Sequence, residues 1–245
     1  MPWRRIAHRG AAGTRPELTR PAFERALELG VDMIELDVQL TRDRQLVVLH
    51  DLELGRTVQG QGAVREHTFD ELRGLDAGAW FALEYAGARV PSLDEVLDLT
   101  DGKAALNVEI KSPSPDWGET ADVVVDCLTA KRRLDSTIIS SFETGALRAV
   151  RERSAEARIG VLWHLADLEP MWLLAEALQA GSVHPQWELI DAAVVEYAHA
   201  RRLEVIAWTV NDPEAIARLA GLGVDGIISD FPENFPASRG NPVTA

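Results

Sequence analysis

The chain has 245 residues with 39 acidic and 25 basic side chains, a formal net charge of −14. The length carries a sizeable core, and 46% hydrophobic with 26% charged residues excludes bulk disorder. The negative balance argues against nucleic acid or an anionic membrane as partner, and the single Cys127 excludes both an intrachain disulfide framework and a cysteine-rich zinc site. In chain order, Ile6-Ala7-His8 is the first predicted strand, and no signal-like apolar stretch follows Arg4-Arg5. No run approaches the 18 apolar residues of a membrane span, so a cytoplasmic location without stable membrane insertion is expected.

Thr19 before Arg20-Pro21 predicts a helix start, and that helix stops at Gly30. Met33–Val38 follows as a strand. The run Leu29–Glu35 echoes Leu222–Ile228, in both cases a helix ending at glycine and a strand beginning at once. Further predicted strands are Leu46–His50, Leu106–Ile110, Thr137–Ser141, Ile159–Leu162, Val183-His184, Val205–Trp208 and Gly226–Ser229. The gap from Val38 to Leu46 is too short for a parallel crossover. Leu46–His50 must therefore return antiparallel, which leaves eight strands for a TIM (β/α)8 barrel. Residues 51–91, rich in glycine and holding Trp80, Phe81 and Tyr85, read as an insertion over one barrel mouth without a core of its own. Ser92-Leu93-Asp94-Glu95 forms a capping box for the next helix. The expectation is one barrel domain over residues 1–245, with a frayed tail from 234 to 245.

Strand parity brings the chemistry together. Residues i and i+2 face the same way, so Glu35 and Asp37 share one face, and Glu109 and Lys111 share another. Carboxylates within such apolar strands are costly unless paired or bound to metal. Three of them converging make a hard-oxygen site suited to Mg2+ or Ca2+, with Mn2+ also possible, although ion pairs at strand ends are the alternative. His8 and His50 each end a predicted strand, and histidine gives and takes protons near neutral pH. Arg9 and Lys111 add positive charge suited to phosphate. Metal, two histidines and two cations together point to phosphoester chemistry.

His8-Arg9-Gly10, Pro16-Glu17, Ile34–Val38, Val47–Asp51, Ala77–Phe81 and Val90–Leu93 follow one another in a distinctive order. Asn107–Lys111, Ser140-Ser141-Phe142, Ala207–Asn211 and Val224–Pro232 complete it. With these motifs the chain resembles the glycerophosphodiester phosphodiesterases of the small bacterial cytoplasmic type, over nearly its whole length. The resemblance implies a TIM barrel with an insertion after His50-Asp51. It implies a divalent metal on Glu35, Asp37 and Glu109, acid–base roles for His8 and His50, and phosphate contacts from Arg9 and Lys111. It also implies a small-molecule glycerophosphodiester substrate, whose glycerol 2-hydroxyl attacks phosphorus and expels the alcohol. Water then opens the cyclic phosphate to glycerol 3-phosphate. Which histidine is acid and which is base stays open, as does the oligomeric state.

Glu17, Phe142 and Trp208 join the substrate-binding candidates. Leu18 stands where the family often has asparagine, and is expected to reshape that edge of the pocket. Trp80 and Phe81 are expected to anchor the insertion. His67, His164, His184 and His199 are read as structural, Asp230 as a turn cap without a catalytic role, and Cys127 as an inert buried thiol. The alternatives are a phosphodiesterase acting on lysophospholipids, which needs an exposed apolar entry surface, and a noncatalytic binding barrel.

Overall fold

The structure is a computed structural model describing residues 3–112 and 116–236. Among these described residues nine strands form in chain order: β1 (Arg4–His8), β2 (Met33–Leu40), β3 (Leu46–Val48), β4 (Ala105–Ile110), β5 (Thr137–Ser141), β6 (Arg158–Trp163), β7 (Ser182–Pro185), β8 (Glu204–Ala207) and β9 (Gly226–Ser229). All except β3 pair in parallel with their neighbours, and β9 returns to β1, so eight strands close into a barrel. β3 runs antiparallel to β2 through Val38↔Val48 and Leu40↔Leu46, the hairpin that the short gap demands. It ends at Val48, short of the expected His50. Beyond it the Leu49 N–H still bonds the Asp37 carbonyl of β2, while on the other side of the strand the Val48 N–H bonds the Pro91 carbonyl.

Helices lie between the barrel strands: α1 (Arg20–Glu28), α3 (Leu93–Thr100), α4 (Trp117–Ala130), α5 (Thr144–Arg153), α6 (Glu169–Ala177), α7 (Ala192–Ala200) and α8 (Pro213–Leu222), with short α2 (Phe69–Arg73) inside the insertion. Their starts follow the sequence. Ser92 and Glu95 exchange the two bonds of a capping box at α3, and Asp212 caps α8 ahead of Pro213. Thr19 precedes α1 as expected, but its hydroxyl donates to the Pro16 carbonyl instead of accepting from the helix.

The two strand faces have different fates. Outward residues such as Ile34, Leu36, Val38, Val108 and Ile139 bury themselves under the helices in the main core. Inward rows begin apolar and turn polar toward the C-terminal end. Ile6 leads to His8, Met33 to Glu35 and Asp37, and Ala105 to Asn107, Glu109 and Lys111. Ile138 leads to Ser140, Ile206 to Trp208, and Ile228 to Asp230. Ile6, Met33, Ile138, Ile206 and Ile228 form an apolar plug inside the barrel, and the reactive side chains stand above it. This is the face where barrel enzymes keep their sites.

The sequence reading places no core in the insertion, yet one is there. Val47 and Leu49 pack with Val58, Val64, Leu72, Ala77 and Val90 in a satellite cluster. The side of the hairpin turned away from the main core needs apolar cover, and the insertion provides it. Near the C-terminus Phe235 packs edge-on against Trp3, ring centroids 5.3 Å apart. Of the tail expected to fray from 234 to 245, residues 237–245 lie outside the described residues.

Candidate active site

β1 delivers His8 and then turns sharply. Arg9 has φ +52° and Gly10 +79°, and a side chain on Gly10 would meet the Ala22 backbone at 2.7 Å. Only glycine fits there. The turn aims the Arg9 N–H at Glu35 Oε2, 3.1 Å away.

Glu35, Asp37 and Glu109 each bring one oxygen into a group within 4.8 Å, all three buried. The register Asp37↔Glu109 between β2 and β4 sets them side by side. Lys111 Nζ lies 2.7 Å from Glu109 and 3.7 Å from Asp37, and Arg9 Nε lies 3.3 Å from Asp37. These cations offset charge but do not satisfy Asp37, because neither of its buried oxygens has a hydrogen-bond partner among the described residues. Burial, with Asp37 and Glu109 close by, pushes the Glu35 carboxyl well above its ordinary range. Burial and Asp37 push Glu109 up to about 7 against the pull of Lys111. Orphaned carboxylate oxygens in an all-oxygen donor set are what a hard divalent cation would satisfy. The residues present fit such an ion.

Both histidines have a carboxylate behind them. His8 Nδ1 lies 2.6 Å from Asp230 Oδ1, and His50 Nδ1 lies 2.7 Å from Asp51 Oδ1. Burial alone would push Asp230 up, but His8 and Asn211 hydrogen bonds hold it below its ordinary value. Asp51 is also held low against burial, by Arg56 and His50. An ionised carboxylate only accepts, so each Nδ1 donates and leaves Nε2 for chemistry. His8 Nε2 lies 3.8 Å from Glu35 Oε2. Burial lowers the His50 pKa, outweighing the pull of Asp37.

His8, Arg9, Glu35, His50, Glu109 and Lys111 line one cavity of about 130 Å3, walled by Phe142 and Trp208. The two aromatic rings meet edge to face at 5.3 Å, Lys111 Nζ sits 5.7 Å from the Phe142 centroid, and Trp208 Nε1 donates to the His184 carbonyl. Glu17 stands behind this cavity. Its oxygens accept from Arg9 at 2.9 Å and from Arg56 at 2.7 and 3.1 Å. Leu18 does not edge the pocket as expected. It is buried in the main core, with φ +56°, and its N–H bonds the Arg9 carbonyl.

The sequence reading missed Asp230, read as a mere turn cap, and gave Asp51, Arg56 and Asn211 no role. Asp230 had a signal. It follows Ile228 by two residues and so belongs to the inward row. His164 is read as structural, yet its ring meets Phe142 at 5.4 Å. Cys127 is half-buried, and desolvation with Asp94 nearby raises its thiol to about 11.

Comparison with known proteins agrees with this geometry. The sequence model of the "Glycerophosphoryl diester phosphodiesterase family" matches residues 8–234. A glycerophosphodiester phosphodiesterase of Caldanaerobacter subterraneus subsp. tengcongensis is 41% identical over 231 residues, covering 94% of this chain and 95% of the relative. A phosphodiesterase of Oleispira antarctica, solved in complex with the product sn-glycerol-3-phosphate, superposes with a TM-score of 0.87 at 30% identity, covering 93% of each chain. A glycerophosphodiester phosphodiesterase of Agrobacterium tumefaciens gives 0.83 at 28% identity, over 94% of this chain and 97% of that one.

Proposed function

The chain belongs to the glycerophosphoryl diester phosphodiesterase family, and from that premise we propose that it releases glycerol 3-phosphate and an alcohol by metal-dependent, two-histidine acid–base catalysis. One observation carries the reading: two carboxylate-backed imidazoles share a small cavity with a buried acidic cluster whose Asp37 oxygens lack hydrogen-bond partners among the described residues.

Each residue then has a task. Arg9 and Lys111 grip the phosphoryl oxygens, with Arg9 able to use two donors in parallel. Glu17 acts through Arg9, holding its guanidinium. Phe142 and Trp208 give the glycerol moiety a wall. Glu35, Asp37 and Glu109 would hold Mg2+, Ca2+ or Mn2+. What such an ion supplies when bound is polarisation of the phosphoryl group and neutralisation of its developing charge.

One histidine accepts at Nε2 the proton of the glycerol 2-hydroxyl as that oxygen bonds phosphorus. The other donates its Nε2 proton to the leaving alcohol oxygen as the phosphorus–oxygen bond breaks. Water then opens the cyclic phosphate with the two roles exchanged, so both imidazoles return to their starting states. Asp230 and Asp51 keep both rings oriented throughout.

A second reading, cleavage of lysophospholipids, is favoured by the side chains of Leu52, Trp80 and Leu83, which stand exposed on the insertion. Leu83 is 85% exposed.

The test is release of glycerol 3-phosphate from a panel of glycerophosphodiesters, and of choline with lysophosphatidate from lysophosphatidylcholine, with EDTA and with added metals. His8→Ala and His50→Ala should each lose roughly 100- to 10,000-fold in kcat. Unchanged rates in both, or full activity in EDTA, would refute the mechanism. Turnover of lysophosphatidylcholine alone would favour the second reading.

A further inference from the structure

Arg56 lies outside the barrel, on the insertion, and all three of its guanidinium nitrogens are engaged by two carboxylates. Nε donates to Asp51 Oδ2 at 2.6 Å and Nη2 to Asp51 Oδ1 at 3.0 Å. Nη1 donates to Glu17 Oε2 at 3.1 Å and Nη2 to Glu17 Oε1 at 2.7 Å. Each of those carboxylates also holds a residue of the cavity. Asp51 accepts a hydrogen bond from His50 Nδ1, and Glu17 accepts one from Arg9 Nη1. The unbroken series His50–Asp51–Arg56–Glu17–Arg9 joins two residues that arrive on different elements, one after β1 and one after β3.

We propose that Arg56 is a positioning residue that holds the His50 imidazole and the Arg9 guanidinium in fixed relation to each other through Asp51 and Glu17. The proposal rests on the reading that His50 and Arg9 act in glycerophosphodiester hydrolysis.

An isolated surface ion pair contributes little to stability, because both side chains are mobile and screened. Arg56 differs in three respects. Its side chain is 47% exposed, but those of Glu17 and Asp51 are only 12% and 24% exposed. Its contact with each carboxylate is bidentate, a geometry that the planar guanidinium fork provides and a lysine ammonium cannot. Its loop is also anchored. Thr57 and Val58 are buried, the Gly55 N–H bonds the Val58 carbonyl at 2.9 Å, and Gly55 and Gly60 hold φ of +130° and +147°. Arg56 does not line the cavity, so it acts only through its two partners.

The experiment compares wild type, Arg56→Ala and Arg56→Lys. The substrate is glycerophosphocholine, and kcat and KM are measured with and without tens of millimolar guanidinium chloride against matched potassium chloride. Arg56→Ala should lose roughly 10- to 100-fold in kcat/KM, through both kcat and KM. Guanidinium should restore part of that loss and potassium none. Arg56→Lys should stay near the alanine variant, and it carries the test if Arg56→Ala does not fold. In imidazole 15N spectra of the proteins without substrate, the His50 Nδ1–H resonance should move and broaden in both variants. Wild-type turnover with variant rates within about twofold, or a loss that guanidinium does not touch, overturns the proposal. Absence of wild-type turnover on any glycerophosphodiester overturns the underlying reading instead. The spectra then decide for Arg56: an unmoved His50 signal overturns the positioning role, and a displaced one upholds it.

Discussion

Asp230 Oδ1 lies 2.6 Å from His8 Nδ1, although the two residues are 222 positions apart. Their meeting is a product of barrel closure, since β9 pairs with β1 through Ala7↔Ser229 and each side chain follows that pair by one residue. Asn211 holds the far oxygen of Asp230 at 2.7 Å and accepts the Asp230 N–H at 2.9 Å. The carboxylate is therefore set from both sides before it meets the imidazole.

Asp230→Asn should lower kcat roughly 100- to 10,000-fold with little change in KM, because an amide can present an N–H to His8 and favour the wrong tautomer. Steady-state kinetics on glycerophosphocholine checks this. A kcat within a few-fold of wild type would mean that Asp230 only caps the turn before Phe231.

Gly10→Ala should destabilise the fold by about 2 kcal/mol or more, since a methyl group collides with Ala22 while φ is +79°. Activity should fall further than stability, because the same turn presents Arg9. Urea unfolding followed by circular dichroism gives the first quantity and the glycerol 3-phosphate assay the second. An alanine variant with wild-type stability would show that the turn tolerates a side chain.

Much of this site could be read from the chain alone, and the limits are physical. Glu35, Asp37, Glu109 and Lys111 stand on regular strands, where a period of two fixes the face without any knowledge of the partner strand. The short gap from Val38 to Leu46 similarly forces the hairpin. Arg56 and Glu17 are different. Both lie on irregular segments, and their meeting across 39 positions depends on how the insertion packs over Val47 and Leu49. No local period records that. Leu18 misled for a related reason. Its side chain follows a left-handed backbone into the core, a direction that a motif alignment does not carry.

The acidic cluster ties metal binding to pH. With the metal removed by EDTA, Glu109 titrates at about 7, above its ordinary value of 4.5. A raised carboxyl favours folding fully below the unfolded value, and that contribution is lost as pH rises through about 7. The stripped protein should therefore lose stability from this group between about pH 4.5 and 7. An added dication binds the ionised carboxylates and reverses the loss, contributing about 2.7 kcal/mol at a hundredfold excess over its Kd. Melting curves with EDTA and with Mg2+ or Ca2+ should diverge as pH rises. Equal metal-induced shifts at pH 5.5 and pH 8 would show that these carboxylates do not hold the ion.

His184 gives the opposite slope. It lies fully buried inside the barrel, Nε2 2.8 Å from the Ser182 hydroxyl and Nδ1 without a partner among the described residues. Desolvation, aided by the charge of Arg4, drops its pKa from 6.5 to about 3. The unfolded chain takes up a proton near pH 6.5 that the folded barrel refuses. Stability from this residue is thus present above pH 6.5 and drains as pH falls toward 3, by at most about 1.4 kcal/mol per pH unit. His184→Gln removes the titrating group and keeps a polar side chain beside Ser182. Between pH 6.5 and 4 the slope of unfolding free energy against pH should be shallower in the variant by up to one proton. The comparison is made by denaturant unfolding at a series of pH values, where the many surface carboxylates contribute equally to both proteins and cancel. Parallel slopes would mean that the folded barrel protonates His184 as readily as water does, which its complete burial and unpartnered Nδ1 argue against.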